Sequence, residues 1–288
     1  MVACPAPRQL NRSLSSFEMK AIVKFIFLLI LFFGITFGIS AQSVLYETYS
    51  DGGKRAFERG NITESEKLLK TALKEAENLN DLELIADGSV NLGKVYQHQK
   101  KYDEAEKLYL RAIEIQEQLD GKDNLSVAYS LNNLGLLYSE QKKYDKSEET
   151  LRRALTIREK KLEPTDTNIA VTLVNLGKLY SDQDKLTEAE SLYDRAFKIF
   201  VLAGDENLEG IFVCIDNLAL IYEKTKNYKK AEPLYRFAIA VLEKFNGRND
   251  ATLIPYLEDY AALLRKLKRN AEAVKVEARV KRLRQLNR

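Results

Sequence analysis

The sequence contains few residues that break helices. Its 288 residues include only 13 glycines and 5 prolines, about half the share found in average proteins. This composition excludes collagen-like chains and disordered chains rich in proline and glycine, and it favours long helices. Hydrophobic residues make up 45% and charged residues 30% of the chain, which is typical of a globular protein rather than one with many membrane spans.

Side chains that commonly carry catalysis or bind metals are also scarce. His98 is the only histidine, so neither a histidine metal cluster nor a Ser-His-Asp triad can form. The chain also lacks a glycine-rich phosphate loop and the Cys-x-x-Cys, His-Glu-x-x-His and Gly-x-Ser-x-Gly patterns. We therefore expect no enzyme activity, no cofactor and no metal ion.

The beginning of the chain has the pattern of a secretory signal. Two lysines follow Met19, residues 25–39 carry no charge, and small residues lead to Ala41. This order matches the basic, apolar and cleavage regions of a signal peptide, so we expect residues 1–41 to be removed on export to the periplasm or the extracellular space. The alternative is an uncleaved membrane anchor formed by residues 25–41, which reaches only the lower length limit for a span.

Charge and cysteine use agree with this interpretation. The formal net charge of +3 lies in the leader, so the remaining chain is neutral and has no general attraction to nucleic acid or an anionic membrane. Residues 265–288 contain ten lysines and arginines against two glutamates, which indicates a solvated basic end rather than a nucleic-acid-binding module. Removal of the leader also removes Cys4, which leaves Cys214 alone; its apolar neighbours predict a buried structural thiol.

The rest of the chain repeats every 42 residues. A short phrase of Asn or Asp, Leu or Tyr, and Gly or Ala begins at Asn91, Asn133, Asn175, Asn217 and Asp259. An unbroken period of this length is typical of a stacked array. In each block a second apolar stripe follows with the spacing of one helix face, as at Ala105, Leu108, Tyr109, Ala112 and Ile113. Each block is therefore predicted to form a helical hairpin, in which the in-phase tyrosines pack between helices and small residues allow close approach.

The order of small and aromatic residues within a block is informative about the family. It is carried in one block by Leu92, Gly93, Tyr96, Ala105, Tyr109 and Ala112. These residues resemble the tetratricopeptide repeat family, and the 42-residue period with residues 131–135 and 231–235 resembles its kinesin-light-chain-like subtype. The resemblance covers residues 46–286 in six copies, at about 46–79, 84–119, 125–162, 167–203, 208–245 and 250–286.

The resemblance implies an all-α fold, a right-handed α-solenoid of about six helical hairpins that follows the N-terminal signal or anchor. The last copy has Leu264 where the others have tyrosine and Glu277 where they have an aromatic residue or leucine, as expected of a polar capping repeat. The family also implies that the concave face, lined by the first helix of each hairpin, binds a partner peptide or domain.

A row of asparagines is the predicted partner-binding site. The same place on four consecutive first helices, beside the core leucine, is taken by Asn91, Asn133, Asn175 and Asn217. An amide both donates and accepts, so such a row could hold the backbone of an extended peptide, and in the resembled family asparagines at the matching positions contact bound peptides. Lys94 and Lys178, about one turn further on, complete the predicted groove site. The alternative is that the asparagines bond neighbouring helices within the solenoid.

These observations predict an exported, noncatalytic scaffold that binds a protein or peptide in the groove. No nucleic acid is expected as a partner, and contact with a membrane is expected only if residues 25–41 are retained. The alternative is a sensory or regulatory module of a membrane-tethered envelope signalling or assembly system.

Overall fold

The computed structural model describes residues 43–204 and 207–287. Within these ranges the chain forms twelve α-helices and no β-strand, which confirms the predicted all-α fold of six helical hairpins. None of the helices in this part of the chain combines the length and apolar character needed to cross a bilayer. The predicted signal peptide or anchor, within residues 1–41, lies outside the described residues.

The twelve helices alternate between the first and the second helix of each hairpin. The first helices are α1 (43–58), α3 (Leu82–His98), α5 (Leu125–Glu140), α7 (Thr167–Asp182), α9 (Leu208–Lys224) and α11 (Leu253–Lys266). The second helices are α2 (Ile62–Leu79), α4 (Tyr102–Asp120), α6 (Tyr144–Lys161), α8 (Leu186–Ala203), α10 (Tyr228–Asn246) and α12 (Asn270–Leu286).

The chain divides into two compact units between Val95 and Tyr96, within α3. The first unit contains α1, α2 and most of α3. Its first two helices approach closely at Gly53, where a Cβ atom would lie 2.6 Å from Cγ of Leu69. Glycine is needed here because any side chain would displace the buried leucine.

The hairpin turns share one backbone motif. At the end of α5, the N–H of Lys143 donates to the carbonyl of Tyr138 and the N–H of Lys142 donates to that of Ser139, both at 2.9 Å. This pair of bonds is the Schellman motif, and it requires a left-handed residue between the helices. That conformation recurs every 42 residues, with φ between 56° and 61°, at Lys100, Lys142, Asp184, Lys226 and Lys268.

In the second unit the hairpins stack so that first helices lie beside first helices and second helices beside second helices. Among the second helices, Arg153 on α6 pairs with Glu117 on α4 at 2.5 Å. Among the first helices, Nδ2 of Asn175 on α7 donates to Oδ1 of Asn132 on α5 at 2.9 Å. The unit therefore has two layers, and the exposed side of the first-helix layer combines residues from several hairpins.

The core lies between these two layers. Ala154 and Ala196 are fully buried, and they leave room for the aromatic side chains around them. Of the ten in-phase tyrosines predicted to pack in the core, six are buried: Tyr109, Tyr138, Tyr180, Tyr193, Tyr222 and Tyr235. The other four are half-buried: Tyr96, Tyr102, Tyr144 and Tyr228. Cys214 is a buried free thiol in the same cluster as Phe200, as predicted for a structural cysteine.

The last hairpin carries charged pairs across its two helices. Arg284 on α12 pairs with Glu258 on α11 at 2.5 Å, and Arg265 pairs with Glu277 at 2.9 Å. These pairs place charged side chains on the surface of the last hairpin, as expected of a polar capping repeat.

Candidate functional site

The candidate site is the exposed side of the first-helix layer in the second unit. Three rows of side chains lie there, each made of residues 42 apart on α5, α7 and α9. The apolar row contains Tyr129, Val171 and Val213, the amide row contains Asn133, Asn175 and Asn217, and the third row contains Leu136, Lys178 and Leu220. Successive rows are four and three residues apart, so all three share one side of each helix. We call this surface the groove face.

The apolar row was not predicted from the sequence. Tyr129 and Val171 each leave 42% of their surface exposed, and Val213 leaves 37% exposed. Single exposed apolar residues are common on proteins, but their recurrence at one place in three consecutive repeats forms an apolar surface. Two features of the sequence could have predicted this row: its residues recur every 42 positions, and each lies one helical turn before an asparagine of the amide row.

The amides of the groove face are held in two different ways. Asn133 donates from Nδ2 to the carbonyl of Tyr129 at 2.9 Å, and Asn217 donates to the carbonyl of Val213 at 2.8 Å, each one turn back on its own helix. Asn175 instead donates to Asn132 on the neighbouring first helix. The bond of Asn175 thus joins neighbouring helices within the solenoid, as the alternative to a binding role expects. The bonds of Asn133 and Asn217 stay within one helix.

The side-chain oxygens of the amide row remain as acceptors. Within the residues that the structure describes, no donor reaches Oδ1 of Asn133, Asn175 or Asn217. Since one N–H of each amide is already engaged, the orientation of each oxygen is fixed by the protein itself. A row of oriented acceptors is suited to the backbone N–H groups of an extended peptide.

The other two residues of the predicted groove site lie in the first unit. Asn91 is buried, and its Nδ2 donates to Oδ2 of Asp87 at 2.9 Å. Asp87 occupies the place of the apolar row in this repeat, and it also accepts a hydrogen bond from the hydroxyl of Tyr46 at 2.7 Å. Lys94 is half-buried. The side chain of Asn91 is therefore engaged by a carboxylate rather than by a backbone carbonyl.

The charged side chain in the third row has a partner on its own helix. Lys178 is exposed, and its Nζ lies 3.0 Å from Oδ2 of Asp182, one turn further along α7. An exposed pair of this kind contributes about 0.3–0.5 kcal/mol to stability. Such a weak pair leaves the lysine able to exchange Asp182 for another acceptor.

A polar link between consecutive hairpins was also missed by the sequence analysis. A tyrosine hydroxyl on a first helix donates to a glutamate on the second helix of the preceding hairpin, as in Tyr138 to Glu106 at 2.8 Å, Tyr180 to Glu148 at 2.6 Å and Tyr222 to Glu190 at 3.2 Å. Each glutamate precedes its tyrosine by 32 residues, and both residues recur every 42 residues. The repeat pattern could therefore have predicted these links. These links help to set the spacing between neighbouring first helices, and so between successive residues of each row of the groove face.

The amide row continues onto α11 as a carboxylate. Asp259 lies 42 residues after the last asparagine of the row, and Asp216 and Glu223 lie on the adjacent α9. Burial, followed by the negative charges of Glu223, Asp216 and Glu258, raises the pKa of Asp259, while Lys266 lowers it. We call Asp216, Glu223 and Asp259 the acidic corner.

Apart from the acidic corner, the part of the groove face that the structure describes does not bring together a nucleophile and a general base. Burial raises the pKa of the Cys214 thiol to about 12, so this cysteine remains a thiol at neutral pH. Among the described residues, no group of three or more His, Cys, Asp or Glu side chains could hold a metal ion. His98 is exposed at the end of α3.

Comparison with protein families identifies the repeat. The family model described as "Tetratricopeptide repeat" matches residues 84–160, 138–201 and 212–285. No curated protein matches the chain.

Several solved structures have the same fold as this chain. The chain is similar to BtubC (BKLC) from P. vanneervenii, with 21% identity, a TM-score of 0.62, and coverage of 73% of this chain and 91% of that chain. It is also similar to a kinesin light chain-like protein with nearly identical TPR-like repeats from Podosopora anserina, with 17% identity, a TM-score of 0.61, and coverage of 70% and 96%. A Rap protein complexed with Competence and Sporulation Factor is similar with 18% identity, a TM-score of 0.59, and coverage of 84% and 75%. At these identities the likeness shows the fold alone.

Proposed function

The chain belongs to the tetratricopeptide repeat family, whose repeats are typical of scaffolds for protein–protein interaction, and on this basis we propose that it is a noncatalytic scaffold. Its ligand is an extended peptide or a segment of a partner protein that binds along the groove face. The Rap protein solved with Competence and Sporulation Factor provides a precedent for a ligand on this fold.

One observation carries the proposal: the apolar row and the amide row run side by side over three consecutive first helices. An extended peptide has the same two features, since its backbone offers N–H groups at regular intervals and its side chains alternate in direction. Backbone N–H groups can donate to the oxygens of Asn133, Asn175 and Asn217, while apolar side chains pack on Tyr129 and Val171. The amides contribute affinity with little sequence preference, and the apolar row adds preference for hydrophobic residues.

The absence of catalysis in this proposal follows from the character of the groove face. Its exposed groups are apolar side chains, amides and a lysine paired with Asp182. None of these is a nucleophile placed beside a general base.

The proposal is tested with the double variant Asn133→Ala/Asn175→Ala. A peptide is first selected from a displayed random library on the purified wild-type protein, and its affinity for each variant is then measured by fluorescence anisotropy. We expect the double variant to bind at least about tenfold more weakly, because two hydrogen bonds of about 0.5–1.5 kcal/mol each are lost. The Tm should fall by no more than a few degrees, since the better helix propensity of alanine at both positions offsets part of the loss of the Asn175–Asn132 hydrogen bond.

The matched control is Gln118→Ala/Thr156→Ala, which removes two exposed polar side chains from the second helices α4 and α6. This control should keep the wild-type affinity. Unchanged binding by the double asparagine variant would contradict the proposed groove. Unfolding of that variant would instead support the alternative, in which the asparagines bond neighbouring helices within the solenoid.

Export is the second part of the proposal, and it is supported by the order of basic, apolar and small residues from Met19 to Ala41. N-terminal sequencing of the protein from its native cell tests it. A mature chain beginning at Gln42 agrees with a cleaved signal, whereas a chain that retains residues 25–41 and fractionates with membranes indicates an anchor.

A further inference from the structure

The polar row of the groove face changes character at its C-terminal end. On α5, α7 and α9 the row consists of neutral amides, but on α11 the same place is taken by Asp259. Asp259 and Asp216 are both exposed, so the acidic corner is open to a ligand that lies on the groove face. A ligand that follows the amide row therefore reaches a negatively charged end.

The negative charge of the acidic corner is only partly balanced within the protein. Nζ of Lys266 lies 2.6 Å from a carboxylate oxygen of Glu223. Burial raises the pKa of Asp216, and the group beside it that lowers this pKa is the hydroxyl of Tyr256, which is not a cation. Among the described residues neither Asp216 nor Asp259 forms an ion pair, so three carboxylates share one ammonium group. An additional cation would remove this imbalance.

A tyrosine of the second-helix layer adjoins the same place. Tyr235 on α10 leaves only 6% of its surface exposed. Glu223 occupies in its repeat the place that Gln97 occupies beside Tyr109, so the hydroxyl of Tyr235 is directed toward the acidic corner. Burial, followed by the charges of Asp259, Glu223 and Asp216, raises the pKa of Tyr235. The equivalent tyrosine of an earlier hairpin, Tyr109, donates to Oε1 of Gln97 at 2.9 Å, whereas the Tyr235 hydroxyl has no hydrogen bond to another described residue. Its oxygen can therefore accept a hydrogen bond from a bound cation.

Apolar surface adjoins the acidic corner on α9. Val213 and the 53%-exposed Leu220 lie about one turn before and after Asn217. Beside them, the rings of Phe212 and Tyr256 pack with their centroids 5.3 Å apart. A ligand side chain with an apolar stem and a charged end would match both surfaces, because it could lay its stem on α9 and place its charge in the corner.

We propose that the acidic corner binds a lysine or arginine side chain of the partner peptide, next to an apolar residue that packs on Val213 and Leu220. The inference rests on the proposed function and defines the class of peptide. A basic side chain can donate charge-assisted hydrogen bonds to the carboxylates of Asp216 and Asp259. A divalent cation fits less well, because Lys266 lies among the carboxylates and no group in the described part of the chain has the arrangement of a metal site.

Peptide selection followed by a double-mutant cycle tests this inference. Peptides are selected from a displayed random library on wild-type protein, and one enriched peptide is resynthesised with its basic residue replaced by glutamine. Affinities of both peptides are measured for wild type, for Asp216→Asn/Asp259→Asn, and for the control Glu114→Gln/Glu149→Gln, which alters two exposed carboxylates on α4 and α6. Loss of the basic residue should weaken binding about tenfold to wild type and to the control, but less than about twofold to the Asp216→Asn/Asp259→Asn variant.

The possible outcomes separate this inference from the proposed function. Selected peptides without a basic residue, or an equal loss on wild type and Asp216→Asn/Asp259→Asn, would overturn the basic-residue site while leaving the peptide groove intact. Failure to select any peptide would overturn both. A calcium-dependent rise in Tm that wild type shows and Asp216→Asn/Asp259→Asn lacks would identify a metal site and overturn the inference.

Discussion

At the residue scale, the hairpin turns use lysine in a conformation that usually favours glycine. Lys142 has a φ of 58°, and three further lysines adopt the same conformation in their own hairpins, whereas the first hairpin places Gly60 there with a φ of 76°. The left-handed conformation costs a residue with a Cβ about 1 kcal/mol. Part of this cost is offset because each lysine places a positive charge beside the C-terminus of a first helix.

Replacement of Lys142 by glycine should therefore stabilise the protein. We expect Lys142→Gly to raise the free energy of unfolding by about 0.5 kcal/mol, since the relief of strain exceeds the loss of the helix-end charge and the added flexibility of the unfolded chain. Urea denaturation monitored by circular dichroism measures the change. The adjacent Lys143 has a φ of −82°, so Lys143→Gly should destabilise by about 0.5–1 kcal/mol. Equal effects of the two substitutions would contradict the role of the left-handed turn.

At the element scale, consecutive hairpins are joined by tyrosine–glutamate hydrogen bonds as well as by apolar packing. The link between α7 and α6 is well placed for a test, because Glu148 accepts hydrogen bonds from Tyr180 at 2.6 Å and from Arg152 at 2.9 Å. The hydrogen bond from Tyr180, followed by that from Arg152, lowers the pKa of Glu148. The last hairpin has Leu264 at the tyrosine position, and there Tyr260, one turn earlier, reaches Glu232 at 3.3 Å.

Removal of the Tyr180 hydroxyl should weaken the contact between these hairpins in a pH-dependent way. We expect Tyr180→Phe to lower the free energy of unfolding by about 1 kcal/mol at neutral pH. Since the pKa of Glu148 is lower in the folded than in the unfolded state, its stabilising effect is complete above the unfolded value near 4.3 and is lost as the pH falls through the folded value. The difference from wild type should therefore shrink in urea denaturation at about pH 3.

Tyr144→Phe is the control for this measurement, because the Tyr144 side chain packs against Leu151 and its hydroxyl has no hydrogen bond to another described residue. It should leave stability unchanged at both pH values. A pH-independent loss for Tyr180→Phe would indicate that the ring packing, or the hydrogen bond that Arg152 donates to the Tyr180 hydroxyl, outweighs the link to Glu148.

At the scale of the whole molecule, the second unit is an array in which contacts are local. Each described helix from α5 to α12 contacts its partner in the hairpin and helices of the adjacent hairpins, and Cys214 is free, so no disulfide joins distant repeats there. In such an array the stability of a hairpin depends on its own core and on its immediate neighbours.

A cavity in the last hairpin should therefore destabilise fewer neighbouring hairpins than a cavity in the middle of the array. Leu257 on α11 and Leu173 on α7 are both buried, and substitution of either by alanine should cost about 2–5 kcal/mol. In hydrogen exchange read by mass spectrometry, Leu257→Ala should speed exchange in α10, α11 and α12 while α5 and α6 stay protected. Leu173→Ala should speed exchange in the hairpins on both sides of α7. A uniform increase across the unit for either variant would show that the array unfolds as one cooperative block.

Much of this architecture could be predicted from the sequence because it depends on periodicity. The 42-residue phase and the helical spacing of residues such as Ala105 and Tyr109 specify which positions are buried, and both are fully buried. The groove face could be predicted only in part. The asparagines were found through their phase, but the exposure of Tyr129, Val171 and Val213 depends on what the neighbouring helices cover, which a single helix pattern does not contain.

The sequence by itself determined the all-helical fold, the number of hairpins and the family, because each follows from the local order of apolar, small and turn residues repeated in one phase. Only the tertiary structure decided how equivalent residues are used. Asn133 and Asn217 bond within their own helices, Asn175 bonds to the adjacent helix, and Asn91 bonds to Asp87. The physical reason is that a polar side chain takes the partner nearest in space, and neighbouring side chains differ from one repeat to the next even where the period is unbroken.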